Sequence, residues 1–397
     1  MADAAQLQLG TRAVVSLTGV LLLGFAASLG MAFNIDAIAL SFDVSNAQAG
    51  TVASAEMVAI AGGTLYFARV GTAFNPHQLY RLALLLVIGC NTLSIFVPSS
   101  QWLLGVRVPA GLAIGAVMAT VMSTAGRSDK PQQTFGIINA AVGVMGVLVA
   151  FILPRALRLG ELLPQSWQLS AVDGLYAVYA LAGLLAFLFV AATPRPKPYA
   201  AADGQPAKVP LRGWIALLGL GVLFFGHGLL AIFLVRIGRQ ATLDAEAIGY
   251  VFMVGGFIGI IAPLIAGYLG ARFSALLLSA VVIGSMLLLA GLLAGAQEPM
   301  TFITTAPLFA VLPTALMPIF LGATAVVEPS GRLTGSHPAF VMLGGALAPL
   351  VGGLLSDSQG FVANGMAAMA CIAVGAALML PVLRAADAGR RSQPSLA

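Results

Sequence analysis

Charge is what this sequence has least of. Asp, Glu, Lys and Arg make up 8% of its 397 residues, against about 25% in a typical soluble domain. So few charges cannot coat a water-facing surface. Hydrophobic residues make up 59% and the mean hydropathy is +0.99, so lipid must be the main solvent. A disordered chain is excluded, because it needs the opposite composition. Cysteine is nearly absent. Cys90 and Cys371 each lie inside an apolar run, which excludes a disulfide scaffold and a Cys-based zinc site. The net charge is +5, yet the basic residues form no patch or stripe, so a nucleic-acid partner is not expected. No Gly-x-x-x-x-Gly-Lys-Ser/Thr loop, His-Glu-x-x-His motif or clustered pair of acids occurs. The chain therefore reads as neither an ATP-driven pump nor a membrane enzyme, and no cofactor or metal is expected.

What the sequence does have is long apolar runs. Twelve are long enough to span a hydrocarbon core as helices, at roughly 13–35, 47–69, 78–97, 101–124, 133–156, 171–192, 213–235, 245–269, 273–295, 300–326, 335–355 and 361–384, since a span needs about 20 residues. They are continuous rather than alternating, which favours helices over a barrel. The first is too long for a signal peptide core, so no cleaved leader is expected. With the N-terminus in the cytoplasm, fourteen Lys and Arg fall in inside loops and tails and four in outside loops, with Arg107 left in the membrane. The positive-inside rule then places both termini in the cytoplasm, in a multi-pass protein of the inner membrane.

The longest inside loop, 193–212, carries Pro194, Pro196, Pro198, Pro206 and Pro210 among basic residues. This is the composition of a stiff, solvated linker. It divides an N-terminal six-helix bundle, 1–192, from a C-terminal one, 213–397. The halves also align at an offset of 199 residues: Ala49-Gly50 falls on Ile248-Gly249, Gly136 on Gly335 and Gly146 on Gly345. Duplicated halves point to a transporter that rocks about a central site.

Twelve spans, a duplicated layout and a basic central loop resemble the major facilitator superfamily over nearly the whole chain. The fourth span adds Arg107-Val108-Pro109-Ala110-Gly111-Leu112-Ala113-Ile114-Gly115, similar to that family's arginine-glycine motif. The loop signature after the second span is eroded. Gly71 to His77 lacks the family's aspartate, and so does Gly270-Ala271-Arg272-Phe273. The resemblance therefore implies the all-α fold with two pseudo-symmetric six-helix bundles, but not that aspartate's cytoplasmic latch. The fifth-span motif of the family's drug/proton antiporters is also missing. The resemblance further implies a cavity lined by the first, fourth, seventh and tenth spans.

Ionisable groups inside a membrane are costly, so each is a candidate for function. Glu56 in the second span and Arg107 in the fourth lie at like depth, roughly 9–12 Å below the outer surface at about 1.5 Å per residue. The resemblance implies that these two helices are neighbours, so an ion pair is expected, read either as a proton site whose carboxylate is tuned by the guanidinium or as a structural clamp. Asp36, near the outer end of the first span, is a second protonatable candidate or an interfacial acid in contact with water. His227, flanked by Gly226 and Gly228 halfway along the seventh span, reads as a substrate or proton ligand, or as a histidine bonded to a backbone carbonyl. The tenth span, with Pro307, Pro313 and Pro318, reads as a bent or interrupted helix beside the site. Asn34, Asn139, Phe224, Tyr250, Thr305 and Met317 complete the candidate substrate contacts, with Arg107 counted among them as well.

The expectation is a monomeric secondary transporter of a small organic solute, coupled to protons. Arg107 and His227 suit an anionic group, and the sparse charge and aromatic side chains suit an amphiphile. The alternatives are drug or metabolite efflux by proton antiport, and a non-transporting sensor on a transporter fold.

Overall fold

Hydrocarbon offers a backbone amide no partner, so a chain this apolar must satisfy its main chain within helices. The computed structural model describes residues 7–70, 74–126, 128, 131–162, 164, 169–194, 210–270, 272–328 and 332–391, and among these all regular structure is helical. Among the described residues, ten helical stretches are long and apolar enough to cross a membrane. The third span, α5 (Pro76–Ser94), is more polar, and the first is divided into α1 (Thr11–Gly24), α2 (Ala26–Leu29) and α3 (Met31–Ser41). These two complete the twelve.

The chain divides into two compact units, Met1–Val44 with Thr51–Asp203, and Ser45–Gly50 with Gly204–Ala397. Most of the proline-rich 193–212 segment lies outside the described residues. The first unit holds α1 to α3, most of α4 (Asn46–Val70), α5, α6 (Ser100–Gly126), α7 (Pro131–Leu157), α8 (Leu159–Leu162) and α9 (Ala171–Val190). In the second are α10 (Leu211–Ala231), α11 (Leu234–Gln240), α12 (Ala245–Gly270), α13 (Ala275–Ala294), α14 (Pro299–Val327), α15 (Arg332–Gln359) and α16 (Phe361–Arg391).

Two spans are broken without a proline. At Gly30, between α2 and α3, the backbone turns at φ −89°, ψ 14°. A Cβ there would fall 2.3 Å from Tyr179 Oη and 2.4 Å from Leu153, so only glycine admits these neighbours. Asn34 Nδ2 donates to the Ala27 carbonyl at 2.7 Å across the break. The seventh span breaks at Ile232 and Phe233. There the Phe233 amide bonds Leu230, which deprives Leu229 of its helical donor. Asn364 Nδ2 replaces it, donating to the Leu229 carbonyl at 2.8 Å and to Gly352 at 2.9 Å. An orphaned carbonyl in hydrocarbon is costly, and each unit repairs its break with a buried asparagine.

Two expectations are corrected. The first span runs on to Ser41, so Asp36 is not an interfacial acid in contact with water; it is fully buried. The tenth span is not interrupted, since α14 is one helix through all three internal prolines. The eroded signature after the second span has a structural use: Asn75 Oδ1 accepts from the His77 amide at 3.0 Å and Pro76 occupies the first turn, so the segment caps α5. Residues 71–73 of that signature, and Ala271 of its counterpart, lie outside the described residues.

Within the second unit, two helix starts are held by acids from later helices. Asp357 on α15 accepts from the amides of Asn46 and Ala47, at 3.0 and 2.8 Å. Asp387 on α16 accepts from Ala275 and Leu276, at 2.7 and 3.1 Å, beside the N-cap Ser274. Charged acceptors on free helix amides are the strong kind of hydrogen bond. Asp387→Ala is therefore expected to lower stability by about 1–2 kcal/mol, read as a fall in the thermal unfolding midpoint in detergent. An unchanged midpoint would show that Ser274 suffices as the cap.

Candidate functional site

The polar centre of the first unit is assembled by small residues. Arg107, Gly111 and Gly115 recur every four residues, so they share one face of α6. On that face a Cβ at Gly111 would lie 2.5 Å from the Glu56 carbonyl, and one at Gly115 would lie 2.4 Å from that of Ile60. Opposite, a Cβ at Gly63 would meet the Leu112 carbonyl at 2.6 Å. With no side chain in the way, α4 and α6 come into backbone contact. Arg107, one turn before Gly111, is thereby delivered onto Glu56.

The pair is a two-pronged fork. Arg107 Nε donates to Glu56 Oε2 at 3.0 Å, and Nη2 donates to Oε1. The remaining arm, Nη1, donates to Asn91 Oδ1 on α5 at 2.7 Å. The guanidinium lies 4.9 Å from the centre of the Tyr176 ring, as a cation–π contact. Arg107 is 0% exposed and Glu56 2%. Charges this deeply buried persist only when their hydrogen bonds are met, and here three helices and a ring meet them.

The network extends to the broken first span. A capping box of Ser170 and Asp173 starts α9, and Tyr176 and Tyr179, one turn apart, project from the same face of it. Their rings meet edge to face at 5.8 Å. Tyr179 Oη donates to Asn34 Oδ1 at 2.6 Å. Asn34, Tyr179, Tyr176, Arg107, Glu56 and Asn91 thus form one connected buried cluster. Asp36 lies two residues from Asn34, on the same short helix α3.

In the second unit a partly buried imidazole meets the tenth span. His227 Nε2 stands 3.0 Å from the Phe309 carbonyl on α14, and the two rings stack at 4.6 Å and 29°. Phe224 and Met317 are partly buried and pack on the hydrophobic core around Leu220, Leu316 and Phe320. Thr305 is buried, with its hydroxyl donating to the Thr301 carbonyl of its own helix. Tyr250 is 49% exposed, and its hydroxyl donates to Glu246 at 3.2 Å. Asn139 lies on α7, with its side chain outside the described residues. Of the sequence candidates, the structure brings together Glu56 with Arg107, and joins Asn34 to them through two tyrosines; His227 stands with the tenth span. Among the described residues no group of three His, Cys, Asp or Glu is placed to hold a metal ion.

Sequence reasoning missed Asn91, Tyr176, Tyr179 and Phe309. Asn91 was detectable as an amide within an apolar run, by the logic that found Glu56. Phe309 was detectable as the residue four before a helical proline.

The fold is that of known transporters. A bacterial homologue of the human lysosomal transporter Spinster, inward-facing and occupied, superposes with a TM-score of 0.68 at 15% identity, covering 96% of this chain and 98% of that one. A D323A mutant of the nucleoside transporter NupG gives 0.70 at 12%, over 94% and 99%. A structure from a study of proton-dependent oligopeptide transporters gives 0.68 at 12%, over 96% and 99%. No curated protein matches the chain by sequence. The family profile of the Major Facilitator Superfamily matches residues 15–328, most of the twelve-helix fold and the whole Glu56–Arg107 cluster, and the chain belongs to that superfamily.

Proposed function

We propose that the chain is a secondary active transporter of a small organic solute, coupled to protons through Glu56 and Arg107. The observation that carries this reading is the fully buried fork between them. A carboxylate in apolar surroundings keeps its charge only while a cation faces it, and it takes up a proton when that cation withdraws. Arg107 sits on α6 and Glu56 on α4, so a small shift between these helices would exchange the ion pair for a protonated acid. The glycine contact between the helices leaves no interlocked side chains to resist such a shift. A proton-dependent oligopeptide transporter shares the fold, so the architecture accommodates this kind of coupling. Asp36, buried on α3, is the second proton site of the proposal. On the distribution of Lys and Arg, both termini face the cytoplasm of an inner membrane, and the bundles of 1–192 and 213–397, joined by the 193–212 linker, act as a monomer.

The test is transport by purified protein in vesicles, using a solute chosen from a thermal-shift screen. Glu56→Gln keeps the shape and one acceptor of the pair but cannot ionise. It is expected to abolish accumulation driven by an imposed pH gradient, leaving equilibration, while solute exchange without a gradient continues. Parent-like accumulation by Glu56→Gln would move the proton site elsewhere, with Asp36 the next residue to test. Binding without any flux, in parent protein, would instead identify a sensor.

A further inference from the structure

Pro313 has no amide hydrogen, so the carbonyl four residues before it in α14 has no helical donor. That carbonyl belongs to Phe309, and the donor it receives is His227 Nε2 at 3.0 Å. A carbonyl only accepts, so the proton of this bond sits on Nε2. The second ring nitrogen, Nδ1, is then left with its lone pair in the neutral imidazole. The stack on Phe309, 4.6 Å between centroids, fixes the ring plane as well, and Phe309 is itself fully buried. A ring flip would lose the carbonyl bond and strand the Phe309 oxygen. The flanking glycines set the direction: Gly226 packs on α16 at Cys371 and Ala368, and Gly228 on α15 at Ala348. The imidazole is left on the face of α10 toward α14. It is partly exposed there, and no other bond to it is found among the described residues.

We propose that His227 Nδ1 is the specificity contact of the second unit, a fixed hydrogen-bond acceptor for an O–H or N–H of the solute. The proposal rests on the transporter reading and names its substrate class. Neither anchor expected for an anionic solute offers a cation to it. Every nitrogen of the Arg107 guanidinium already donates, within a residue that is 0% exposed. His227 offers a lone pair rather than a cation, and a carboxylate facing a lone pair is repelled. The solute class is therefore neutral and donor-bearing: a polyol, sugar, nucleoside or amide.

The test uses full-length protein in lipid nanodiscs, with ribose, myo-inositol, N-acetylglucosamine and uridine as neutral donors, and lactate, succinate and benzoate as anions. Thermal shift and titration calorimetry identify the binders. His227→Gln keeps an N–H near the Nε2 position for the Phe309 carbonyl but displaces the acceptor. His227→Asn keeps an acceptor near the Nδ1 position but abandons the carbonyl. The expected result is a double dissociation. His227→Gln keeps the parent unfolding midpoint and binds the neutral solute about tenfold more weakly, the loss of one good hydrogen bond. His227→Asn binds within about threefold of parent but unfolds at lower temperature, since only a small part of one bond's energy is lost. An analogue with the critical hydroxyl methylated should bind the parent and His227→Gln alike. In parallel, nitrogen-15 spectra of histidine-labelled protein should show the resonance that His227→Gln removes as a neutral ring protonated on Nε2. Binding of the anions alone, binding of no member of the panel, or a ring protonated on Nδ1 each overturns the assignment. A neutral solute that binds as described but is not carried across vesicles leaves this site standing and removes the transport reading.

Discussion

Arg107→Ala is expected to destabilise the protein by about 3–5 kcal/mol, the usual penalty for stranding one member of a buried ion pair. The reason lies in what remains. Glu56, 2% exposed, would lose both of its guanidinium bonds, Asn91 Oδ1 would lose its donor, and Tyr176 would face a void where the cation sat. For a unit of this size the loss corresponds to on the order of 10 °C in the unfolding midpoint. The double replacement Glu56→Leu with Arg107→Met is expected to recover most of it, because apolar residues of similar volume replace a buried ion pair with little or no loss. Thermal unfolding of the four proteins in one detergent gives the comparison. If Arg107→Ala unfolds with the parent, the fork contributes nothing to folding. The double variant separates stability from coupling: well folded but without an ionisable pair, it should bind solute and fail to accumulate it against a pH gradient. Accumulation by that variant would make the pair a structural clamp only.

The sequence exposed this pair because the membrane leaves few places for charge. Glu56 and Arg107 stand out against apolar runs, and counting helical rise placed them at one depth. Their partners were harder to see. Asn91, Tyr176 and Tyr179 are moderately polar and common in spans, so nothing in their own segments distinguishes them from packing residues. Only the contact of α5 and α9 with Arg107 gives them a role. The breaks in the first and seventh spans were hidden for a related reason. At Phe25, Gly30 and Phe233 the apolar runs continue without interruption, and no proline marks the turn. What permits those turns is a side-chain amide whose partner the local run does not show: Asn34, held by Tyr179, and Asn364, which is 135 residues from the carbonyl it supports. Local pattern reports which residues lie in the membrane, but not which carbonyls lose their donors.

The tenth span shows the reverse case. Three prolines suggest an interrupted helix, yet α14 runs unbroken from Pro299 to Val327. A proline removes one hydrogen bond and crowds the turn before it, which bends a helix without having to end it. The orphaned oxygen still needs a partner, and at Phe309 a histidine from another helix provides one. The sequence contained both halves of this interaction, His227 and Pro313, with no indication that they belonged together. Two readings of His227, as a ligand and as a histidine bonded to a carbonyl, looked like alternatives. The geometry makes them compatible, because the carbonyl uses Nε2 and leaves Nδ1.

Gly111→Leu is expected to be strongly damaging although it touches no charge. At this position a Cβ alone would lie 2.5 Å from the Glu56 carbonyl and 2.8 Å from the Ala59 Cβ. The first of these is backbone, which cannot rotate aside, so α4 and α6 must separate. Overpacking of a tight core contact costs about 1–3 kcal/mol where side chains can adjust, and here the added side chain meets main chain. Separation also lengthens the Arg107–Glu56 bonds, since Arg107 is one turn from the wedge on the same face. The mutation should therefore combine a lower unfolding midpoint with loss of gradient-driven accumulation. Gly62→Leu is the control, on the same helix as Gly63 but with nothing within 4 Å of its added Cβ. It is expected to fold and accumulate solute as the parent does. A Gly111→Leu protein that does the same would show that α4 and α6 are not held at glycine distance in the membrane, and that Glu56 and Arg107 reach each other by side-chain length alone.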